Sequence, residues 1–592
     1  MGWHYHFYQH TEESNNASLE MLARYGGYVQ LSTLIPLAVV WVARATPELW
    51  KVLSTKSRQR AYEVVSTTEE VRAEGRRSNS HINLLRLKWW LSHDYHLAGC
   101  NYGTRGQLII RSAFMCWLLC LCFLETGDNY NQLTKRFAMV AVALFPLQFS
   151  LSMRYANPLA YALGSTHGEL STWHRFLGRL IHTFVTCHAA LYANKYIQLG
   201  GFLDALRNSV VITGFAAFLA MTTLGISSLA VVRRYSYRVF LITHILIAFT
   251  LPMFVFLHVK PARVYIAQAM VILALDRGLR MWHAFTAQAS IQLIPGTGLI
   301  RTTIMVPPER AKWLQKYPGS HVYITVPSTL RSIWSRSITK PNFLLNCVPS
   351  PFTVAAVNEA SSELTLIVRK RNGPMTHYLN RLAGGYSQDS SSSERIPIRI
   401  EGPFGVARQF NDMLIRGSFN RILIFAGGVG ATFSLPIFQH ILRENSRARV
   451  DMFWAARYAD DVHWAATASE TEKNILEDER IHIFITRAEE AKNQDEKGED
   501  EGVTDKHVDL EMGLVDSSCR YPAEMKLRGI RHNLQRPDLR DIVDEAFQQN
   551  LEDRVAVLVC GPLPMKRELR EHVHRWVKRG RYVWWHDEAF SL

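Results

Sequence analysis

Long apolar runs dominate the first half of this 592-residue chain. A helix of roughly 20 apolar residues crosses the hydrocarbon of a bilayer. We predict seven such spans, near residues 27–44, 107–125, 136–153, 172–197, 209–232, 238–259 and 264–284. After about residue 285 the apolar residues have the ordinary spacing of a soluble fold. The chain is therefore predicted to be half membrane-embedded and half soluble.

The charges of the connecting loops predict the topology. Basic residues crowd the loop after the first span, among them Lys51 and Arg86. Cytoplasmic loops carry an excess of Lys and Arg, so we place this loop in the cytosol and residues 1–26 outside. Seven crossings then leave the soluble half in the cytosol. Asn16 begins an acceptor sequence for N-glycosylation on the predicted outer side.

Composition argues against two other classes of protein. The net charge of +15 is gathered largely in loops between apolar runs, which is typical of membrane topology and predicts no nucleic-acid partner. The eight cysteines have no regular spacing, so neither a disulfide framework nor a zinc site is expected.

Two of the predicted spans repeat the same histidine spacing. His174 and His188 are fourteen residues apart in the fourth span, and His244 and His258 are fourteen apart in the sixth. Fourteen residues turn a helix by about 1400°, close to four full turns, so both histidines of a span share one face. The predicted topology makes the two spans parallel. Two facing pairs then lie about 21 Å apart along the helices.

Facing imidazoles in an apolar bundle are suited to holding haem iron, because each neutral ring donates a nitrogen lone pair. We predict two b-type haems, one held by His174 and His244 near the cytosol and one by His188 and His258 near the outside. Iron with two histidine ligands has no open position, so such haems pass electrons rather than bind substrate. His182 is turned about 80° from His174, and we assign it to hydrogen bonding between helices.

The soluble half contains two successive patterns. From about 288 to 410, short runs rich in Val, Ile and Thr alternate with Pro and Gly turns, which predicts an antiparallel β-barrel. "RILIFAGGVGATFSLPIFQHIL" then has the order strand, glycine turn, helix, and such a turn lets the backbone approach a pyrophosphate. "VDMFWAAR" and "IHIFITR" are further strands, and "RVAVLVCGP" closes a predicted parallel sheet.

Together these motifs resemble the ferric reductase and NADPH oxidase superfamily, most closely its fungal ferric/cupric-chelate transmembrane reductases, over nearly the whole chain. The resemblance implies a polytopic α-helical membrane domain with about seven spans and a bis-haem bundle. A cytosolic ferredoxin-reductase-like module follows, with an antiparallel β-barrel for FAD and an α/β domain for NADPH. The expected boundaries are 1–26 for the exocytoplasmic N-terminus, 27–285 for the haem domain, 286–412 for the FAD domain and 418–592 for the NADPH domain, which includes a disordered insertion at about 488–510.

The resemblance also implies a flavin site in the barrel. The family's His-Pro-Phe-Thr motif begins here with Ser350, so serine replaces the histidine. A basic segment follows as a second flavin and phosphate contact, and "EGPFG" resembles the turn between the two cofactors. The residues implied for this site are Pro351, Phe352, Thr353, Arg369, Gly373, Thr376, Glu401, Gly402, Pro403 and Gly405.

For the nicotinamide nucleotide, Arg457 follows the second candidate strand, where a cation pairs with the 2′-phosphate of NADPH. The family often ends in an acidic-aromatic tail over the flavin. Glu588 and Phe590 fit that tail, while Leu592 replaces the usual tryptophan. Cys560 and Phe590 are the residues expected to act in catalysis. The contacts that the resemblance implies around the nicotinamide are Gly427, Gly428, Gly430, Cys560, Gly561 and Pro562.

The implied function is electron transfer from cytosolic NADPH, through FAD and two haems, to a ferric or cupric chelate outside. The outer segments are short, and Lys260 and Arg263 attract anionic complexes. An oxidase that reduces O₂ to superoxide is the alternative, and it needs a capped pocket over the outer haem. A non-enzymatic membrane sensor or scaffold with a decayed reductase fold is another, motivated by Ser350 and Leu592.

The same reasoning predicts the protein's surroundings. A multi-pass protein of the plasma membrane is expected, with the vacuolar membrane as the other location. The expected partners are the lipid bilayer, metal chelates outside, and a ferroxidase and permease of an uptake system. The oligomeric state is left open.

Overall fold

The structure is a computed structural model, and its described residues form two compact units, Met1–Trp282 and His283–Leu592. The described residues are 5–7, 12–58, 79–97, 100–165, 167–326, 349–370, 373–385, 395–405, 414–415, 419–445, 447–466, 474–487, 532–549 and 554–588. The predicted insertion at 488–510 and Phe590 lie outside them.

The first unit is helical, with one short β-hairpin. A helix lies at each of the seven predicted spans, and the third span contains two. The elements are α1 (Glu12–Arg58), α2 (Asn79–Leu91), β1 (Asp94–Leu97), β2 (Cys100–Thr104), α3 (Arg105–Phe123), α4 (Tyr130–Ala143), α5 (Phe145–Ser152), α6 (Pro158–Leu163), α7 (His167–Gln198), α8 (Phe202–Ala205), α9 (Ser209–Ser227), α10 (Ala230–Tyr235), α11 (Tyr237–His258) and α12 (Arg263–His283).

Among the described helices, four are long and apolar enough to cross a membrane. They contain the segments Asn16–Arg44, Arg105–Phe123, Ser209–Ser227 and Tyr237–His258. Their outward faces expose large apolar side chains such as Leu34 and Leu246, as helices in contact with lipid do. The membrane character of this unit is therefore supported.

The other three predicted spans fall short of that standard for reasons of sequence. The third is divided between α4 and α5 at Leu144, just before Pro146. The fourth, α7, carries histidines and arginines along its length. The seventh, α12, contains a buried ion pair in which Arg280 lies 3.8 Å from Asp276. Length and apolar composition thus support four of the seven predicted spans.

The first helix begins earlier than predicted. α1 starts at Glu12, and its apolar segment starts at Asn16 rather than near residue 27. The predicted glycosylation sequence therefore lies within a helix, and Ser18 donates a hydrogen bond to Gln132 Oε1 (2.5 Å). Glycosylation acceptors are typical of surface loops. The structure therefore gives no support to glycosylation at Asn16.

The second unit opens with a closed six-stranded barrel in the order β3-β4-β7-β6-β5-β8. Every neighbouring pair is antiparallel, which confirms the predicted antiparallel barrel. Inward residues such as Ile300, Leu366 and Ile398 fill its core. The elements are β3 (Phe285–Leu293), β4 (Leu299–Met305), α13 (Pro308–Gln315), β5 (His321–Thr325), β6 (Ser350–Asn358), β7 (Glu363–Arg369), α14 (Pro374–Gly385) and β8 (Ile396–Phe404).

A parallel sheet with the strand order β12-β11-β10-β9-β13-β14 follows the barrel, as predicted. β9 and β13 lie at its centre and are almost wholly apolar, as strands covered on both faces are. The elements are β9 (Arg421–Gly427), α15 (Ala431–Glu444), β10 (Arg449–Ala456), β11 (Ile481–Ile485), β12 (His532–Asn533), α16 (Leu539–Gln548), β13 (Val555–Cys560), α17 (Leu563–Lys578) and β14 (Val583–Glu588).

One prediction for this sheet is wrong. The strand Val555–Cys560 does not close the series, because β14 pairs with it in parallel. Glu588, predicted as part of a tail over the flavin, is the last residue of that strand, and its carbonyl oxygen accepts a hydrogen bond from Lys566 Nζ. β14 has the sequence VWWHDE and ends in two acidic residues, so the segment lacks the apolar pattern that marks the inner strands.

A buried arginine ties β9 to its surroundings. Arg421 donates to Asp451 Oδ2 (3.2 Å), Ala546 O (3.0 Å) and Gln549 Oε1 (2.7 Å). Arg421→Met leaves these acceptors in the interior, so we expect the second unit to lose about 3 kcal/mol of stability. The urea midpoint of the purified protein measures this loss. The control is Arg449→Met, since Arg449 approaches the same carboxylate (3.5 Å) with a 60% exposed side chain; an equal loss there would contradict the assignment.

Candidate functional site

The four predicted histidines form two pairs between α7 and α11. The ring centroids of His174 and His244 lie 6.2 Å apart, and those of His188 and His258 lie 6.4 Å apart. The first histidine of one helix meets the first of the other, and the second meets the second. The two helices therefore run parallel, and the pairs are those predicted from the spacing.

Each of these rings has its Nδ1 within hydrogen-bond distance of an oxygen atom. The contacts are His174 with Gln148 O (3.0 Å), His188 with Thr134 O (2.8 Å), His258 with Val210 O (2.8 Å) and His244 with Ser228 Oγ (3.4 Å). A carbonyl oxygen only accepts, so in three of the rings the proton is on Nδ1 and the lone pair is on Nε2. This tautomer, with Nδ1 oriented by a carbonyl, is that of a metal-ligating histidine.

The separation of the rings fits haem iron. A metal–nitrogen bond of about 2.0 Å on each side, plus about 1.1 Å from nitrogen to ring centre, gives about 6 Å between centroids. In the described part of the chain, no three His, Cys, Asp or Glu residues gather to hold a bare metal ion. Each pair would need a group that supplies further ligands, as a porphyrin does. Gly214 leaves room at one pair, because a Cβ there would lie 2.5 Å from His258 Cε1.

His182 lies away from these pairs. Its Nε2 is 3.2 Å from Thr222 Oγ1 on α9. The structure therefore agrees with the prediction of a hydrogen bond between helices.

In the second unit, the glycine turn after β9 meets the turn after β13. A Cβ on Gly427 would lie 2.6 Å from Pro562 Cδ, and a Cβ on Gly430 would overlap the carbonyl oxygen of Cys560. Only glycine permits this approach. The carboxyl edge of a parallel sheet is where such folds bind ligands. The predicted nicotinamide residues that the structure brings together at this edge are Gly427, Gly428, Gly430, Cys560, Gly561 and Pro562.

A buried tryptophan holds this turn. Trp454 of β10 donates from Nε1 to the carbonyl oxygen of Gly428 (3.0 Å), and its ring packs edge-on against Trp464 at 5.7 Å. Gly428 has a φ of +55°. The sequence analysis missed Trp454. The signal was a tryptophan near the carboxyl end of the buried strand "VDMFWAAR".

The predicted catalytic cysteine is enclosed. Cys560 is 1% exposed, and burial raises the pKa of its thiol to about 12. The thiol therefore stays protonated at neutral pH and is no nucleophile. Cys560 still contacts the glycine turn, because its carbonyl oxygen and its sulfur both lie beside Gly430.

Two arginines follow neighbouring strands at the carboxyl edge. Arg457 comes directly after β10 and is exposed. Arg487 follows β11; its amide donates to Arg457 O (3.3 Å), and its guanidinium lies 5.5 Å from the ring of Tyr458. The sequence analysis missed Arg487, although "IHIFITR" ends in it. Two cations near each other are suited to a phosphate.

The predicted flavin segments lie on either side of β5. His321 of β5 pairs with Thr353 on one side and with Phe404 on the other. The ring of Phe404 lies 6.1 Å from that of His321 and 5.4 Å from that of Tyr323. The sequence analysis missed His321 and Tyr323, because only the barrel register brings them beside these segments. The predicted residues on β6 are Pro351, Phe352 and Thr353, and those on β8 and the turn after it are Glu401, Gly402, Pro403 and Gly405.

The predicted phosphate contacts follow β7. Arg369 ends that strand and donates to Asp461 Oδ2 (3.0 Å), and burial raises the pKa of Asp461. A Cβ on Gly428 would lie 4.0 Å from Arg369 Nη1, so this cation is beside the glycine turn as well. Gly373 precedes α14 and accepts a hydrogen bond from Thr376 Oγ1 (3.0 Å). A helix N-terminus beside a cation is suited to binding phosphate.

The chain thus combines a helical, membrane-associated unit that has two facing histidine pairs with a unit built of a barrel and a parallel sheet with glycine turns, an arrangement typical of nucleotide-binding modules. Two family models match the chain. "Ferric reductase like transmembrane component" covers residues 137–256, and "Ferric reductase NAD binding domain" covers residues 419–574. The chain is thus similar to the ferric reductases over these two segments, and the resemblance drawn from its motifs is confirmed.

Individual proteins show the same relationship. "Probable metalloreductase AIM14" of Meyerozyma guilliermondii is 24% identical over 476 residues, 79% of this chain and 87% of that protein. "Ferric/cupric reductase transmembrane component 2" of Saccharomyces cerevisiae is 26% identical over 451 residues, 72% of this chain and 56% of that one. Among solved structures, "Ferredoxin reductase in carbazole 1,9a-dioxygenase" is 14% identical over 52% of this chain and 70% of that chain, with a TM-score of 0.30.

The hydrogen bond from Trp454 to the glycine turn can be tested directly. Trp454→Phe keeps most of the ring and removes the donor, and a net hydrogen bond contributes about 1 kcal/mol. We expect the KM for the nicotinamide nucleotide to rise about fivefold, with kcat little changed. Steady-state kinetics measures both. Trp464→Phe is the matched control, because it alters the neighbouring ring and leaves this hydrogen bond in place; an equal rise there would contradict the assignment.

Proposed function

We propose that the protein carries electrons across a membrane, from cytosolic NADPH to a ferric or cupric chelate on the other side, in the service of metal uptake. The observation that carries this proposal is the presence of two facing histidine pairs on parallel apolar helices. Their separation along α7 and α11, fourteen residues in each helix, amounts to about 21 Å. That distance spans most of the hydrocarbon layer.

The two units have different roles in this proposal: the helical unit holds the haems, and the second unit binds the flavin and the nicotinamide nucleotide. His174 with His244, and His188 with His258, hold two b-type haems. Bound FAD would supply the chemistry that converts hydride transfer from NADPH into single-electron transfer, and haems at the histidine pairs would supply one-electron chemistry. The glycine turn orients the nicotinamide nucleotide on the sheet edge. Arg369 and the N-terminus of α14 bind the flavin phosphates, while β5 and its neighbours hold the ring system.

We further propose that seven helical segments cross the membrane. α9 lies between α7 and α11 in sequence and packs against both, so three consecutive crossings are required if the outer two run parallel. The less apolar α12 buries Asp276 and Arg280 inside the unit, where ionisable residues in membranes are found. The N-terminus then lies outside the cell, the helical unit in the plasma membrane and the second unit in the cytosol.

Arg457 and Arg487 favour NADPH as the donor. Arg457→Ala removes a charge from the proposed 2′-phosphate contact, and a charge-assisted hydrogen bond contributes about 2 kcal/mol. We expect the KM for NADPH to rise about 30-fold and that for NADH to stay nearly constant. Steady-state kinetics with both nucleotides measures this. The control is Arg449→Ala, an exposed arginine at the opposite end of the same strand; equal changes for both nucleotides would contradict NADPH selection.

The histidine pairs are tested by absorbance. His188→Ala and His258→Ala should each lose about half of the b-type signal in a reduced-minus-oxidised spectrum, because one of two equivalent sites loses a ligand. His182→Ala is the matched control on the same helix and should keep the full signal. Undiminished spectra in both ligand variants would refute the assignment of these pairs to haem.

The acceptor is tested with NADPH and the reconstituted protein. Reduction of a ferric chelate is compared with and without superoxide dismutase, alongside O₂ consumption. We expect chelate reduction to be insensitive to the dismutase. If the dismutase abolishes it, the protein is an oxidase that makes superoxide.

A further inference from the structure

The end of the helical unit that holds His188 and His258 has a surface for which the proposed function gives no role. It is formed where the start of α4 meets the last turns of α7. We name it the Lys135–Lys195 surface, and its residues are Asn131, Lys135, Tyr192, Lys195 and Tyr196.

Aromatic rings connect this surface to the histidine pair. The ring of Tyr192 lies 5.0 Å from that of His188, edge-on at 76°. The ring of Tyr196 stacks on Tyr192 at 5.9 Å, with an interplanar angle of 25°. Both tyrosines are half-buried. A column of rings thus leads from the metal-ligating histidine to the end of α7.

Two lysines flank the column. Lys195 Nζ donates to Asn131 Oδ1 (2.7 Å) and lies 6.0 Å from the ring of Tyr192. Lys135 is one of two residues of α4 that are not buried. It follows Asn131, the partner of Lys195, by one helical turn on the same face. Both side chains are half-buried. Among the described residues, neither ammonium has a carboxylate within 4.0 Å.

Two arginines at the same end are paired with carboxylates. Arg24 lies 3.2 Å from Glu125, and Arg207 lies 3.3 Å from Asp204. Two like charges on one partly buried surface repel each other. An anion between them removes that repulsion and satisfies the remaining ammonium donors. The charge arrangement therefore selects a negatively charged ligand.

We propose that Lys135, Lys195 and Tyr192 form the docking site for the anionic metal chelate, whose carboxylates face the two ammonium groups while its metal approaches the column of rings. This inference rests on the proposed function and names the site of its acceptor. The ferric chelate gains one electron there, and the donor at the His188–His258 pair loses one. No bond is formed or broken and no proton moves.

The test uses the purified full chain, reduced with dithionite and freed of excess reductant, so that the nicotinamide and flavin sites are bypassed. Reoxidation by Fe(III)–EDTA, an anion, is followed in the Soret band by stopped flow and compared with reoxidation by hexaammineruthenium(III), a cation. Lys135→Gln and Lys195→Gln should each raise the half-saturating concentration of Fe(III)–EDTA about fivefold. The rate with the cation should stay the same or increase.

Two further variants separate local contact from long-range charge. Lys195→Arg keeps the charge and should restore most of the affinity for Fe(III)–EDTA. Arg207→Gln removes the same charge from a paired site at the same end, and its half-saturating concentration should remain within about twofold of the wild type, since exposed paired charges contribute little.

Three outcomes would overturn the proposal. Unchanged half-saturation in both lysine variants, with an active wild type, would remove the docking site and leave the proposed function standing. Loss of haem or a shifted Soret band in those variants would assign the lysines to the porphyrin carboxylates instead. A reduced wild type that O₂ reoxidises and Fe(III)–EDTA does not would remove the proposed function, and the docking site with it.

Discussion

The hydrogen bond from Nδ1 of a histidine to a backbone carbonyl of a neighbouring helix is the contact on which the helical unit depends. It fixes the proton on Nδ1 of His174, His188 and His258 and leaves the lone pair on Nε2. The carbonyls come from α5, α4 and α9, so the surrounding helices set the orientation and the tautomer of these three rings. Without these carbonyls, the matching histidines would still lie on adjacent helices, but the orientation and tautomer of their rings would not be fixed.

The histidine pairs could be predicted because helix geometry is rigid. A spacing of fourteen residues determines which face a side chain occupies, whatever surrounds the helix. The number of crossings was harder to predict, because α7 and α12 carry polar residues. In α12, for example, Asp276 and Arg280 form an ion pair inside the unit. Hydropathy records the polar residue and takes no account of its partner. The antiparallel barrel and the parallel sheet followed from patterns of the same local kind.

Side chains that meet only through the tertiary fold could not be predicted. His321 and Tyr323 lie beside the predicted flavin segments through strand register, and Trp454 reaches Gly428 at the end of the neighbouring strand β9. Cys560 is expected to act in catalysis by resemblance to the family, yet its side chain is buried. Glu588 is expected in a tail by the same resemblance, and its place in β14 escaped prediction because an edge strand needs little apolar alternation. In each case the sequence specifies the residue, and the neighbouring element decides its role.

Arg369 has a consequence for the order in which nucleotides bind. It is held by Asp461 from the sheet domain while it lies beside both the flavin phosphate segment and Gly428. If the proposed flavin and nucleotide sites both use this guanidinium, occupancy of the first would change what the cation offers to the second. By reciprocity, the second nucleotide would then change flavin affinity by the same factor. A single side chain would link the two sites thermodynamically.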